Sequence, residues 1–144
     1  MYLISSCLVG INCRYNGTST LDFDLKKLIE EGKAIAVCPE TLVGLSIPRE
    51  SCEIQIKSGK PIVVGKSGKD YTPLFKKAAI ETLKICKEKN IDKAILQSRS
   101  PSCGFGKIYN GSFEGKLIKG NGLTADLLSK NGIEISTNEN WSDK

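Results

Sequence analysis

Three cysteines in this chain stand in the same kind of place. Cys7 follows the apolar run Tyr2–Ser5, Cys38 follows Ala34–Val37, and Cys103 comes a few residues after Lys93–Gln97. Each run has the length and composition of a short buried strand. In an open α/β sheet, ligands bind outside the carboxyl ends of parallel strands. Three thiols distant in sequence are therefore expected to converge on one sheet edge, where thiolates would serve as metal or iron–sulfur ligands. The chain contains no histidine. That removes the usual general base, the Ser-His-Asp and Cys-His nucleophile systems, and mixed Cys/His zinc sites.

The residues around these cysteines are informative. Ser5-Ser6-Cys7-Leu8-Val9-Gly10 leads into Cys13-Arg14-Tyr15-Asn16-Gly17, Cys38-Pro39-Glu40 sets a carboxylate two residues from a thiol, and Ser100-Pro101-Ser102-Cys103-Gly104 surrounds a thiol with hydroxyls and a glycine. Small residues let backbone N–H groups approach inorganic sulfide. Three thiolates suit two kinds of site. A structural zinc ion would take Cys13 as a fourth ligand. A four-iron cluster held by three cysteines would leave one iron open as a Lewis acid. Cys13 thus has two readings, a fourth ligand or a thiol on the substrate side, and Arg14 beside it is placed to depress its pKa. Cys86 lies on the apolar stripe of a helix and reads as core. Cys52, in Glu50-Ser51-Cys52-Glu53, lacks a glycine or hydroxyl-rich turn and reads as structural.

The elements that must position these groups alternate in type. Strands are expected at Tyr2–Ser5, Ala34–Val37, Lys93–Gln97 and Ile133–Ser136. Helices are expected from about Asp22 to Glu31, from Asp70 or Thr72 to about Lys89, and from Leu123 to Lys130. The long second helix carries the stripe Phe75, Ala78, Ala79, Leu83 and Cys86, with Asp70 or Thr72 as its cap and Pro73 in its first turn. Glu53–Lys57 and Pro61–Val64 read as a β-hairpin across Ser58-Gly59-Lys60. Cys103 to Gly122, with six glycines, reads as turns around a short hairpin. The expected fold is a single α/β domain over residues 1–137, a small, mostly parallel sheet flanked by helices, followed by a polar tail at 138–144 that frays.

Composition narrows the function classes. At 144 residues the chain is long enough for one core. Its net charge of +5, from 21 basic and 16 acidic residues, is spread over lysines such as Lys26, Lys57, Lys76, Lys77, Lys87, Lys89 and Lys116. No basic stretch interleaves with aromatics, so no nucleic-acid partner is expected. No apolar run approaches the roughly 18 residues of a membrane span. The N-terminal MYLISSCLVG does not read as a signal peptide, which points to a cytoplasmic protein whose cysteines are not disulfides. Nothing in the sequence sets the oligomeric state.

Four motifs together, SSCLVGINCRYNG, CPE, PRE and SPSCGFGKIYNGSFEGKLIKGNGLTADLL, resemble in order and spacing a bacterial family whose characterised members are thiouracil desulfidases. The resemblance extends to about Ile135. It implies a small α/β enzyme that holds a 4Fe-4S cluster through three cysteines, here Cys7, Cys38 and Cys103. The open iron would take the sulfur of a thiolated nucleobase in a non-redox desulfuration that yields uracil and hydrogen sulfide. The resemblance further implies that Glu40 and Ser100 are the catalytic pair, Glu40 activating a water and Ser100 orienting the substrate or relaying a proton. Arg14, Tyr15 and Arg49 are expected as contacts to substrate or cluster, with Cys13 nearby. Cys52 departs from the family pattern, where an apolar residue is expected, and a broad family leaves the natural substrate open.

Overall fold

The structure is a computed structural model, and it describes residues 1–141. Four short strands, β1 (Tyr2–Ser5), β2 (Ala34–Val37), β5 (Lys93–Leu96) and β8 (Glu134–Thr137), form one sheet in the order β2-β1-β5-β8. All three pairings are parallel, with Leu3 opposite both Ile35 and Ala94, and Ile95 opposite Ser136. Because successive side chains alternate across a strand, Leu3 packs on one face with Cys86, Ala94, Ala125 and Leu128. Ile4 packs on the other with Leu8, Leu25 and Leu28. Both faces are therefore apolar and covered, as parallel sheets require.

Helix α1 (Phe23–Glu30) covers the Ile4 face. Its N-cap Asp22 accepts from the N–H groups of Asp24 and Leu25. The opposite face carries α3 (Thr72–Glu88) and α4 (Leu123–Lys130), the latter stopping at Asn131-Gly132 with Gly132 left-handed. Cys86 is buried in this layer, and burial pushes its thiol up to about 11. It is a core residue, as its place on the stripe implied. At the start of α3 neither expected cap acts as one. The N-cap is Tyr71; Asp70 accepts from the Thr72 N–H, and the Thr72 hydroxyl instead accepts from Val63 N–H, tying the helix to the hairpin.

That hairpin, β3 (Cys52–Lys57) with β4 (Lys60–Gly65), stands apart from the sheet over a third apolar group of Ile54, Val63, Phe75 and Ile108. A second hairpin pairs β6 (Lys107–Tyr109) with β7 (Leu117–Lys119) inside the glycine-rich stretch. Two pieces were not expected from sequence: a 3₁₀ turn at Ser6–Val9 and a four-residue helix α2 (Pro39–Leu42). Of the expected polar tail, Asn138 accepts from Ser98 N–H and Trp141 packs against the α1 side of the core. Positions 142–144 of that tail lie outside the described residues. No helix among the described residues is long and apolar enough to cross a membrane.

The chain runs outward from β1 to β2, then returns across β1 to place β5 on its other side. The order therefore reverses between β1 and β5. A doubly wound sheet opens its ligand crevice at such a point, outside the strand ends.

Candidate active site

The crevice is present, and it is lined by thiols. A cavity of about 450 Å³ opens at the carboxyl edge, with Cys7, Cys13, Cys38, Cys103, Glu40 and Ser100 in its wall. This volume lies in the usual range for small-molecule sites. Cys7 enters from the 3₁₀ turn after β1, and its thiol donates to Gln97 Oε1 at 3.4 Å, spanning the β1/β5 reversal point. Cys38 is the N-cap of α2, and Pro39 is pre-set for the first helical position. Cys103 arrives on the turn after β5, packed against the α3–α4 side of the sheet, while Cys7 and Cys13 belong to the α1 side. The site thus straddles the sheet edge and is reached from both faces.

The thiols interact with one another. Cys13 faces the Cys38 and Cys7 thiols, and Cys38 Sγ points at the Cys13 carbonyl at 4.0 Å. For Cys13 the Cys38 thiol favours the thiolate. The Cys7 thiol together with burial outweighs it, and Cys13 is pushed up to about 11. The expected depression by Arg14 does not occur. The cation that acts on Cys13 is Arg49, while Arg14 Nη1 donates to Thr20 Oγ1 at 3.3 Å on the cavity wall. Cys38 is also raised, by the Cys13 thiol and by burial. Burial pushes Cys103 up to about 12, outweighing the Ser5 and Ser102 hydroxyls beside it. Buried thiols of this kind become thiolates when a metal centre supplies the compensating positive charge.

The donor set fits an iron–sulfur cluster. It consists of sulfur alone, without histidine, and none of the six cysteines is in a disulfide. Among the described residues, no three or more Cys, Asp or Glu side chains gather tightly enough to hold a single metal ion. A sulfur-only donor set around one cavity suits an iron–sulfur group held by thiolates.

Glu40 lies in the first turn of α2. Its Oε1 accepts from Arg49 Nε at 3.4 Å and its Oε2 accepts from Ser102 Oγ at 3.2 Å. The Arg49 side chain is only 8% exposed. It also donates to the carbonyls of Ser46 and Cys13, both at 3.0 Å, while its own N–H bonds the Tyr15 carbonyl. Arg49 therefore ties α2 and the Cys13–Tyr15 segment to its own loop through three of its five guanidinium N–H groups. The next residue turns the other way. Glu50 accepts from Ser67 N–H, Ser67 Oγ and Tyr71 Oη, bonds that hold its carboxyl below the usual range and anchor β4 to the start of α3. Tyr15 is 40% exposed and contributes to the cavity wall.

Ser100 Oγ accepts from the N–H groups of Ser102 and Cys103, at 3.1 and 3.0 Å, and lies 3.0 Å from Ser102 Oγ. This tight turn needs two glycines. A Cβ on Gly104 would sit 2.6 Å from the Ser100 carbonyl oxygen, and one on Gly122 would sit 2.5 Å from the Ser102 carbonyl group. Backbone cannot give way cheaply there. Gly122→Ala is expected to cost about 1–3 kcal/mol through overpacking, measurable as a fall of several degrees in Tm, whereas an alanine tolerated without change would contradict the close approach.

Several wall residues were not identified from sequence. Gln97, the last residue of the expected third strand, lines the cavity, and Ser102, fully buried behind the wall, joins the two expected catalytic groups. Cys52, read as structural, opens β3 and is half-buried in the wall. Burial and the nearby carboxylates of Glu40 and Glu50 push its thiol up to about 12. The only advance signal for Gln97 was its position at the carboxyl end of a parallel strand.

A thiol-lined crevice at the reversal point of a parallel α/β sheet, with a carboxylate and a hydroxyl beside the sulfurs, defines a cofactor-dependent enzyme of the α/β class. The family profile of 2-thiouracil desulfurase matches residues 2–140, and the chain belongs to that family. It is 47% identical to the uncharacterised protein YbbK of Bacillus subtilis (strain 168), over 96% of this chain and 97% of that protein. It also superposes on the solved structure of TudS, a 4Fe-4S-dependent thiouracil desulfidase. The TM-score is 0.87 at 40% identity, covering 96% of this chain and 90% of that one.

Proposed function

We propose that this protein is a cytoplasmic desulfidase that hydrolyses the C–S bond of thiolated pyrimidine bases, converting thiouracil and water to uracil and hydrogen sulfide. The observation that carries this reading is the thiol set, which lines one cavity with Glu40 and Ser100 in the same wall. Cys7, Cys38 and Cys103 would hold a 4Fe-4S cluster. With three protein ligands, the cluster would supply one open iron as a Lewis acid that binds sulfur and polarises the C–S bond.

The chain's own groups do the rest. Glu40, its carboxylate oriented by Arg49 and Ser102, is the proton acceptor for the attacking water. Ser100 sits where two backbone N–H groups fix its oxygen, so its hydroxyl is held for contact with substrate or water. Gln97 offers both a donor and an acceptor, the pattern needed to pair with a pyrimidine edge. Tyr15 and Arg14 line the wall, and Cys13 lies beside the ligand set as a substrate-side thiol.

Anaerobically prepared protein mixed with thiouracil is expected to release sulfide and uracil in equal amounts, with no added reductant. Loss of the thiouracil absorbance without uracil, or a requirement for an electron donor, would refute a hydrolytic desulfidase.

A further inference from the structure

Ser102 is fully buried, and its hydroxyl touches three groups of the site. Its Oγ lies 3.2 Å from Glu40 Oε2, 3.0 Å from Ser100 Oγ and 3.7 Å from Cys103 Sγ. Hydrogen-bond capacity then fixes a direction. Ser100 Oγ accepts from two backbone N–H groups and carries one proton to give. An ionised carboxylate only accepts, and a bond to it is stronger than one to sulfur, so the Ser102 proton belongs to Glu40. A Ser102 lone pair is then left to accept from Ser100. The proton path runs from Ser100 O–H to Ser102 Oγ, and from Ser102 O–H to Glu40 Oε2.

We infer that Ser102 is a positioning residue that couples the two catalytic groups, letting Glu40 act as a base at Ser100 through a two-hydroxyl relay. This inference rests on the assignment of Glu40 and Ser100 made above. The three proton shifts are concerted: the Ser102 proton passes to Glu40 Oε2, the Ser100 proton to Ser102 and a water proton to Ser100, while the water oxygen bonds the ring carbon. The water's proton has in effect reached Glu40, and the Ser102 and Cys103 N–H groups hold Ser100 Oγ in place throughout. The C–S bond then breaks with its electron pair on sulfur. The Glu40 proton returns along the same path, and with the second water proton the products are a carbonyl and hydrogen sulfide. No electron donor or acceptor is consumed.

The backbone around Ser102 is fixed independently of its side chain. The Ser102 carbonyl accepts from Thr124 N–H and Ala125 N–H at the start of α4, and these bonds survive a change of side chain. Ser102→Ala therefore isolates the hydroxyl.

The test is a double-mutant cycle of S102A and E40Q on anaerobically purified protein, with iron per chain and Tm measured beside kcat and KM. The S102A variant is expected to keep its iron and to lose about 10–100-fold in kcat at unchanged KM. Once E40Q is present, S102A should cost less than about threefold, because groups that act as a unit are non-additive. The solvent deuterium isotope effect on kcat should fall in S102A. Effects that multiply, or an S102A variant with unchanged kcat, would overturn the relay while leaving the Glu40 assignment intact. Loss of iron in S102A would overturn it too, because Ser102 would then act through Cys103. An unimpaired E40Q enzyme would instead refute the catalytic assignment on which the relay is built.

Discussion

Glu40→Gln is expected to lower kcat for thiouracil by about 10²–10⁴-fold, with iron content and visible absorbance per chain unchanged. The substitution keeps the shape of the side chain and removes its ability to take a proton. The carboxamide oxygen that E40Q introduces can still accept from Arg49 Nε, which lies 3.4 Å from Oε1 of the native carboxylate. The amide nitrogen that replaces Oε2 cannot accept from Ser102. The site is therefore altered where the proton is handled and little elsewhere. KM should move less than about threefold, because no contact from Glu40 to the base is required for binding. Arg49 loses a charged partner, which is costly where ions are buried. It keeps the carbonyls of Ser46 and Cys13, and the pair retains some solvent contact, so a folded enzyme with modestly lower Tm is expected. Steady-state kinetics on iron-matched samples decide the matter. A kcat within about threefold of the parent would remove Glu40 from the chemistry.

The frame that brings these groups together was largely legible in the sequence. Apolar runs at Tyr2–Ser5 and Ala34–Val37 became β1 and β2 with those bounds, and Lys93–Leu96 became β5 one residue short of expectation. The stripe from Phe75 to Cys86 became the buried face of α3. These elements are long enough, or apolar enough, for local pattern to decide them. The four-residue pieces at Ser6–Val9 and Pro39–Leu42 are shorter than the period that would reveal them, although Pro39 at a helix start is a signal in its own right. The wall of the site was legible only in part. Cysteines at strand ends can be placed by topology, but the link from Ser102 to Glu40 joins residues 62 positions apart and depends on a tight turn that Gly104 and Gly122 permit. Arg49 likewise looks like a surface or substrate residue in sequence. Its burial follows from a carboxylate on α2 and two carbonyls, one from the Cys13 segment and one from its own loop.

Serine substitutions along the cysteines are expected to divide them sharply. Cys7→Ser, Cys38→Ser and Cys103→Ser should each lose most of the iron and the broad visible absorption of anaerobically prepared protein, with sulfide release falling to background. Cys13→Ser should keep both. Serine is nearly isosteric with cysteine, so folding is little disturbed, but a hard hydroxyl is a poor ligand for iron beside inorganic sulfide. Cys103 is buried in the cavity wall on the turn built around Ser100, with Ser102 Oγ 3.7 Å from its sulfur. Cys38 caps α2 from the same wall, and Cys7 spans the β1/β5 reversal point, where the fold opens its crevice. Cys13 is different in kind. It comes from a loop, not a strand end, and its backbone is held by Arg49 through its carbonyl, so the loop keeps its place without the sulfur. Iron analysis and absorption spectra of the four variants separate the outcomes. Iron retained in C7S and lost in C13S would move the first ligand from Cys7 to Cys13, and the substrate-side thiol would then be Cys7. Iron lost in all four would mean that no iron is left open, and the proposed place for the substrate sulfur would disappear with it.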